Sequence, residues 1–285
     1  MARMERDNVM REVKLMASIA SPHVIRYITS FFSSSSEAAG CINIVMEYAE
    51  GGSVAELIRA TRARREAVEE QCVWRCLLQI GSGLRAIHDA RVIHRDVKPA
   101  NILLSGEDFK IADLGIAVNT GLANVQGRMR SGRCGTPHYM APEVSNDQPY
   151  DGRADVWSLG CLLYEMCSYK TAFPDGTVVD TGVRAESGLT LADVEGTRNR
   201  LQVPGCFSDA LNDHILWCLT LDPARRPTCP ELLGTRECAQ QALKVPSLSP
   251  TSAPRQAYVR PGSATRTRTH SRPVSAPVSR TPVGG

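Results

Sequence analysis

No apolar stretch of the 285-residue chain approaches the roughly eighteen uninterrupted residues that a membrane-spanning helix needs, because charges break up the longest candidates. A membrane partner is therefore not expected. The ten cysteines include no C-x-x-C pair and no Cys/His cluster at zinc spacing, which argues against a structural zinc site or a dithiol redox centre. With no secretory leader in view, they read as reduced, mostly buried thiols of a soluble cytoplasmic protein. Acidic residues are missing from one region altogether. From Val245 to Gly285 there are six arginines and no Asp or Glu; the whole chain carries +3, so the first 244 residues carry −3. That terminal stretch is Pro-, Ser-, Thr- and Arg-rich and too poor in apolar residues to bury a core, which predicts disorder.

What is present concentrates around Val92 to Leu104, VIHRDVKPANILL, which reads as an apolar strand end, a polar loop and a second apolar strand. An aspartate held by such a loop, Asp96, can accept a proton from an incoming hydroxyl. Two residues on, Lys98 can neutralise a phosphoryl group in flight, and Asn101 can hold a metal ion through its amide oxygen. Twelve residues further, Asp113 in IADLG places a carboxylate at the end of another short apolar strand. One base, one cation and two oxygen ligands are what in-line phosphoryl transfer through magnesium requires, since the protein's part is positioning and charge stabilisation.

HRDxKxxN, then DLG, then GTPxYxAPE and DVWSLG follow one another in an order that resembles a eukaryotic protein kinase. The resemblance covers residues 4 to about 240 and is greatest to the NIMA-related kinases. It implies an α+β protein-kinase-like fold, with a mainly helical C-lobe and an N-lobe reduced to helix αC, two strands and the hinge. The implied organisation is a partial N-lobe over 1–50, the C-lobe over 51–244 and the tail over 245–285. It further implies ATP and Mg2+ as cofactors, protein Ser/Thr hydroxyls as substrates, Asp96 as catalytic base and Lys98 as the phosphate-neutralising lysine. Asn101 and Asp113 become the metal ligands. The backbone of Glu47 to Ala49 would meet the adenine edge, and Leu103 would lie beneath the ring. Lysine two places after Asp96, and a Thr136 expected to hydrogen-bond Asp96 and Lys98, are serine/threonine marks. Arg95 precedes the base, so a phosphate on the activation segment, with Ser131 as the candidate acceptor, would order that segment. Glu143, Asp155 and Arg226 resemble structural supports: the last pairs with Glu143, and Asp155 ties to the loop backbone.

One part of the pattern has no counterpart. Residues 4–20 read as an amphipathic helix similar to αC, with Glu12 where the family's αC glutamate sits, yet no glycine-rich loop and no lysine-bearing strand precede it. A charge-assisted hydrogen bond is worth about 1.5–3 kcal/mol, so a missing lysine alone costs roughly one to two decades in rate or affinity. The chain as written is accordingly expected to be weak or inactive, either because its start is incomplete or because it is a pseudokinase that serves as an interaction scaffold.

Along the chain, strands are predicted at Val24–Phe32 and Ile42–Tyr48. A capping box, Ser53 with Glu56, opens a helix. A longer helix over Ala67–His88 should turn Val73, Leu77, Ile80, Leu84 and Ile87 inward, and Cys72 and Cys76 on it read as buried thiols. Further helices are predicted at Asp209–Leu221 and Thr228–Lys244. For the basic tail, the resemblance and the charge together suggest an electrostatic tether to an acidic cytoskeletal surface such as a tubulin lattice, with nucleic acid the less favoured partner and an inert tail the alternative.

Overall fold

The computed structural model describes residues 17–32, 42–114, 118–119, 135–174 and 191–245. They fall into two compact units, one built around Arg26–Glu47 and the other around Ser18–Ile25 with Tyr48 onward. Glu12, Ser131, most of the expected first helix and the chain after Val245 lie outside the described residues.

In the first unit β1 (Tyr27–Phe32) runs antiparallel to β2 (Ile42–Met46), with Tyr27 opposite Met46, Phe32 opposite Ile42 and a bulge near Tyr27. Beyond the last strand pair, the Glu47 amide donates to the Arg26 carbonyl at 2.9 Å. Both strands are shorter than their apolar patterns predict. Val24 and Ile25 leave the first strand because they are buried in the second unit, where the Ile25 amide bonds the Ile111 carbonyl at 2.8 Å. Tyr48, at the other end, is exposed.

The second unit is mainly helical. Helix α1 (Val54–Arg64) begins at the predicted capping box: Ser53 accepts from the Glu56 amide, and Glu56 reaches back to the Ser53 amide at 2.8 Å. Helix α2 (Glu70–Asp89) is the central element, and Val73, Leu77, Ile80, Leu84 and Ile87 are all fully buried, as their spacing predicts. After it come β3 (Val92–Ile93), a 3-10 turn at Pro99–Asn101, and the hairpin of β4 (Ile102–Ser105) and β5 (Asp108–Ile111). The hairpin is clamped to α2 by Gln79, whose amide donates to Asp108 and accepts from the Phe109 backbone, both at 2.7 Å. β6 (Val118–Asn119) pairs with β3.

A four-residue helix α3 (Pro142–Ser145) precedes α4 (Arg153–Ser168), which is buried along most of its length, with Trp157 stacked on Phe173 at 5.0 Å between ring centres. Helices α5 (Leu191–Arg200) and α6 (Asp209–Cys218) follow. The continuous helix predicted over Thr228–Lys244 is instead two, α7 (Cys229–Leu233) and α8 (Arg236–Ala242). Helical periodicity runs through the break, but the Thr235 hydroxyl accepts from the Cys238 amide at 3.2 Å and starts a new helix after Gly234.

Cys76, Cys161, Cys167, Cys218, Cys229 and Cys238 are buried, while Cys72 is half-buried and Cys206 exposed. Burial pushes the Cys76, Cys161 and Cys218 thiols well above their ordinary range and the Cys167 thiol up to about 12. Among the described residues no group of three or more His, Cys, Asp or Glu side chains could hold a metal ion, and no helix is long and apolar enough to cross a membrane.

Candidate active site

β3 ends at Ile93 and delivers the chain into a loop whose shape is set from below. Asp155, in the first turn of α4 and fully buried, accepts from the His94 amide at 2.9 Å, the Arg95 amide at 2.8 Å and the His88 ring at 2.8 Å. Burial opposes its charge, but these donors prevail and hold its carboxyl below the usual range. A carboxylate with three donors is a rigid anchor, and it fixes two successive amides immediately before Asp96.

His94 is completely buried and neutral: burial lowers its pKa, and its two nitrogens have distinct partners. Nδ1 accepts from the Asp96 amide at 3.2 Å, so Nε2 carries the hydrogen and donates to the Ala112 carbonyl at 3.1 Å. Ala112 in turn donates its amide to the Asn101 carbonyl at 2.8 Å. Asp113 is therefore adjacent to a residue bonded to both ends of the 94–101 loop, and it is exposed in a left-handed backbone conformation, φ 62°.

On the loop the Asp96 carboxylate gathers three partners. Lys98 Nζ donates to Oδ2 at 2.6 Å, Asn101 Nδ2 donates to Oδ2 at 3.0 Å, and the Thr136 hydroxyl donates to Oδ1 at 2.8 Å. Lys98 also donates to the Thr136 oxygen at 2.8 Å, closing a small ring. The Asn101 amide nitrogen has a second acceptor in the Asp96 carbonyl at 2.9 Å, so the orientation of the amide is fixed and its oxygen faces away from Asp96. The Asp96 side chain keeps 12% and that of Lys98 25% of their surface exposed, enough to meet a ligand and little enough to strengthen each bond.

Thr136 is brought in by a close backbone crossing. A Cβ on Gly135, whose φ is 122°, would lie 2.5 Å from the Arg95 carbonyl oxygen, so only glycine lets the two segments meet there. Arg95 itself has φ 70°. The segment after Thr136 is held by Tyr139, whose hydroxyl donates to Glu165 at 2.5 Å and whose carbonyl accepts from Ser158 at 2.7 Å. It then enters α3, where Glu143 receives both Arg226 amino groups, at 2.6 and 3.0 Å, inside the protein.

Asp96, Lys98, Asn101 and Thr136 thus share one hydrogen-bonded cluster, with Asp113 on the next residue of the same framework. Leu103 lies in β4, half-buried, and forms an isolated bridge to Ser53. Glu47 follows β2 in the first unit, bonding the Arg26 amide through its side chain at 3.2 Å, and Ala49 sits in the irregular stretch after it. Sequence reasoning missed His88, which binds Asp155 from the last turn of α2, and the Tyr139–Glu165 pair. Neither carries a periodic or motif signal, because both depend on residues 26 or more positions away.

A family model described as "Protein kinase domain" matches residues 1–236. The probable serine/threonine-protein kinase nek2 of Dictyostelium discoideum is 32% identical over 236 residues, covering 81% of this chain and 52% of its own length. The human serine/threonine-protein kinase Nek2 is 32% identical over 239 residues, 82% of this chain and 50% of its own. The mouse serine/threonine-protein kinase Nek1 is 34% identical over 185 residues, 65% of this chain and 14% of its own. The chain spans about half the length, or less, of these relatives.

Proposed function

From the premise that the chain belongs to the protein kinase family and is by family a serine/threonine kinase similar to the NIMA-related kinases, we propose that it transfers the γ-phosphate of ATP to protein Ser/Thr hydroxyls. The observation that carries this reading is the Asp96 carboxylate, which sits within 3.0 Å of an ammonium group, a hydroxyl and an amide. Asp96 accepts the proton of the attacking hydroxyl. Lys98, anchored on Asp96 and Thr136, offers a positive charge where negative charge develops on the transferred group. Thr136 holds the Oδ1 side of Asp96, so the other lone pairs stay aimed at the substrate.

The donor set fits Mg2+. The Asn101 amide oxygen and the Asp113 carboxylate are hard oxygen ligands, and this cation is commonly held by one or two such groups with phosphate and water completing the shell. When bound, Mg2+-ATP supplies the phosphoryl group and neutralises charge on its oxygens. Asn101 and Asp113 would hold the metal, and within the second unit Leu103 and Ala49 would contribute to holding the base. Arg95, with Ser131 as phosphate acceptor and Thr136 beside the base, makes up the regulatory reading. The Arg-rich stretch after Val245 serves this cytoplasmic enzyme as a tether to an acidic cytoskeletal surface; microtubule co-sedimentation unchanged by deletion of residues 246–285 would discard the tether.

The test of the main reading is transfer of labelled phosphate from Mg2+-ATP to a general protein substrate. Wild type should show weak transfer, as the sequence leads one to expect, that Asp96→Asn lowers at least tenfold. Transfer no greater in wild type than in Asp96→Asn would remove the enzyme reading and leave an interaction scaffold.

A further inference from the structure

Asp155 orders the loop before Asp96, and the His88 side chain bonds it alongside the two backbone amides. His88 is itself held from its far side. Its Nδ1 lies 3.7 Å from the sulfur of Cys229, at the start of α7, while Nε2 faces Asp155 at 2.8 Å. Gly152 packs flat against the ring: a Cβ there would come within 2.7 Å of Nδ1 and 2.8 Å of Cε1. The imidazole therefore has no room to turn, and its two nitrogens have fixed, different neighbours.

We propose that Cys229 is a positioning residue for the catalytic loop, acting through His88 by giving Nδ1 a partner and so keeping the Nε2 hydrogen on Asp155. The inference rests on the kinase reading only for its consequence, since its geometry is independent of ATP. Asp155 bonds two backbone N–H groups and must receive a third hydrogen from His88, so Nε2 has to be the protonated nitrogen. In a neutral imidazole that makes Nδ1 an acceptor, which an S–H can satisfy. In an imidazolium Nδ1 becomes a donor, which the sulfur can accept. A thiol serves both states and an alkyl group serves neither: without a partner the charged ring keeps an unsatisfied Nδ1–H inside the protein, and in the neutral ring the hydrogen is free to move to Nδ1. Nε2 would then present a lone pair to a carboxylate, and Asp155 would lose a donor. Burial disfavours the charged ring, but the bonds to Asp155 and Cys229 and the nearby carboxylate outweigh it and hold the His88 pKa up at about 10, which agrees with a ring bonded on both sides. The sequence gives no hint of the link, since Cys229 is 141 residues from His88.

Two readouts that do not involve phosphate transfer test this on the full chain: long-range 15N spectra of the His88 ring, and amide hydrogen exchange at His94 and Arg95. Cys229→Ala should change the His88 nitrogen pattern and speed exchange at both amides at least tenfold relative to amides in α2. Cys229→Ser, which can donate and accept, should restore both, and phosphate transfer should follow the same order. Cys238→Ala, at an equally buried thiol, should lower overall stability and leave the ratio of loop to helix exchange unchanged. Identical spectra and exchange in Cys229→Ala and wild type would overturn the proposal, as would an equal effect of Cys238→Ala. If Cys229→Ala does not fold, the wild-type spectrum decides: an unprotonated Nε2 anywhere between pH 6 and 9 overturns it. Failure of phosphate transfer with these readouts as expected would count against the enzyme reading alone.

Discussion

Removing the Glu143 carboxylate should be among the most damaging single changes to this protein that touches no reacting atom. The Arg226 guanidinium is fully buried and gives two short bonds to Glu143, one to the Arg153 carbonyl at 3.0 Å, and two more to the carbonyls of Thr220 and Leu221 at 2.9 and 3.3 Å. It also lies over the Trp157 ring, 5.0 Å from its centre. Glu143→Ala leaves this cation buried without its counter-charge, a loss of about 3–5 kcal/mol. Counting bonds gives a similar figure, since two hydrogen bonds between charged groups contribute about 1.5–3 kcal/mol each. Arg226→Ala should be worse, because it strands a buried carboxylate and also deprives three carbonyls of their donor. With a urea m-value of about 3 kcal/mol/M, the Glu143 change alone moves the midpoint down by about 1–1.7 M. Urea titration followed by tryptophan fluorescence measures it, with Trp157 in direct contact as a reporter. The order of the two variants is the sharper check. A Glu143→Ala midpoint within 0.3 M of wild type, or an Arg226→Ala protein more stable than Glu143→Ala, would refute the reasoning.

Thr136→Ala removes one bond to Asp96 and one from Lys98, and should lower kcat by roughly 10- to 100-fold, whereas Thr136→Ser keeps the hydroxyl and most of the rate; steady-state kinetics on both variants is the check. Gly135→Ala meets the Arg95 carbonyl oxygen at 2.5 Å with φ at 122°, so it should cost at least about 1–3 kcal/mol in urea stability and lower activity as well. The ordinary pKa of His88 is 6.5 and its folded-state value about 10, so the native state holds the extra proton through that window. Its contribution to stability should be complete below pH 6.5 and decline as pH rises towards 10. Unfolding free energies measured from pH 6 to 10 should show that decline, and His88→Gln should flatten it.

The parts of the fold that repeat at short range could be read in advance. Five apolar positions of α2 at helical spacing are all buried, and the Ser53–Glu56 box starts α1 because its donors and acceptors are three residues apart. Longer-range competition was not readable. Val24 and Ile25 look like strand, but their burial beside Ile111 outweighs local preference, and the α7–α8 break depends on a threonine that could equally have stayed mid-helix. The candidate site divides in the same way. Asp96, Lys98 and Asn101 are close in sequence, so their meeting follows from a tight loop; Thr136 comes from 40 residues away and was placed by resemblance to a family. His88 and Cys229 had neither spacing nor motif to announce them.

The last described residues carry a practical meaning for anyone shortening the chain. Val245 is buried, and the Lys244 carbonyl accepts from the Gln71 side chain at 3.2 Å, so the end of the helical unit is fastened to the first turn of its central helix. A stop codon placed after Ala242 would unfasten that corner and open a hydrophobic notch beside α2, whereas one placed just after Val245 would remove arginines and leave the fastening whole.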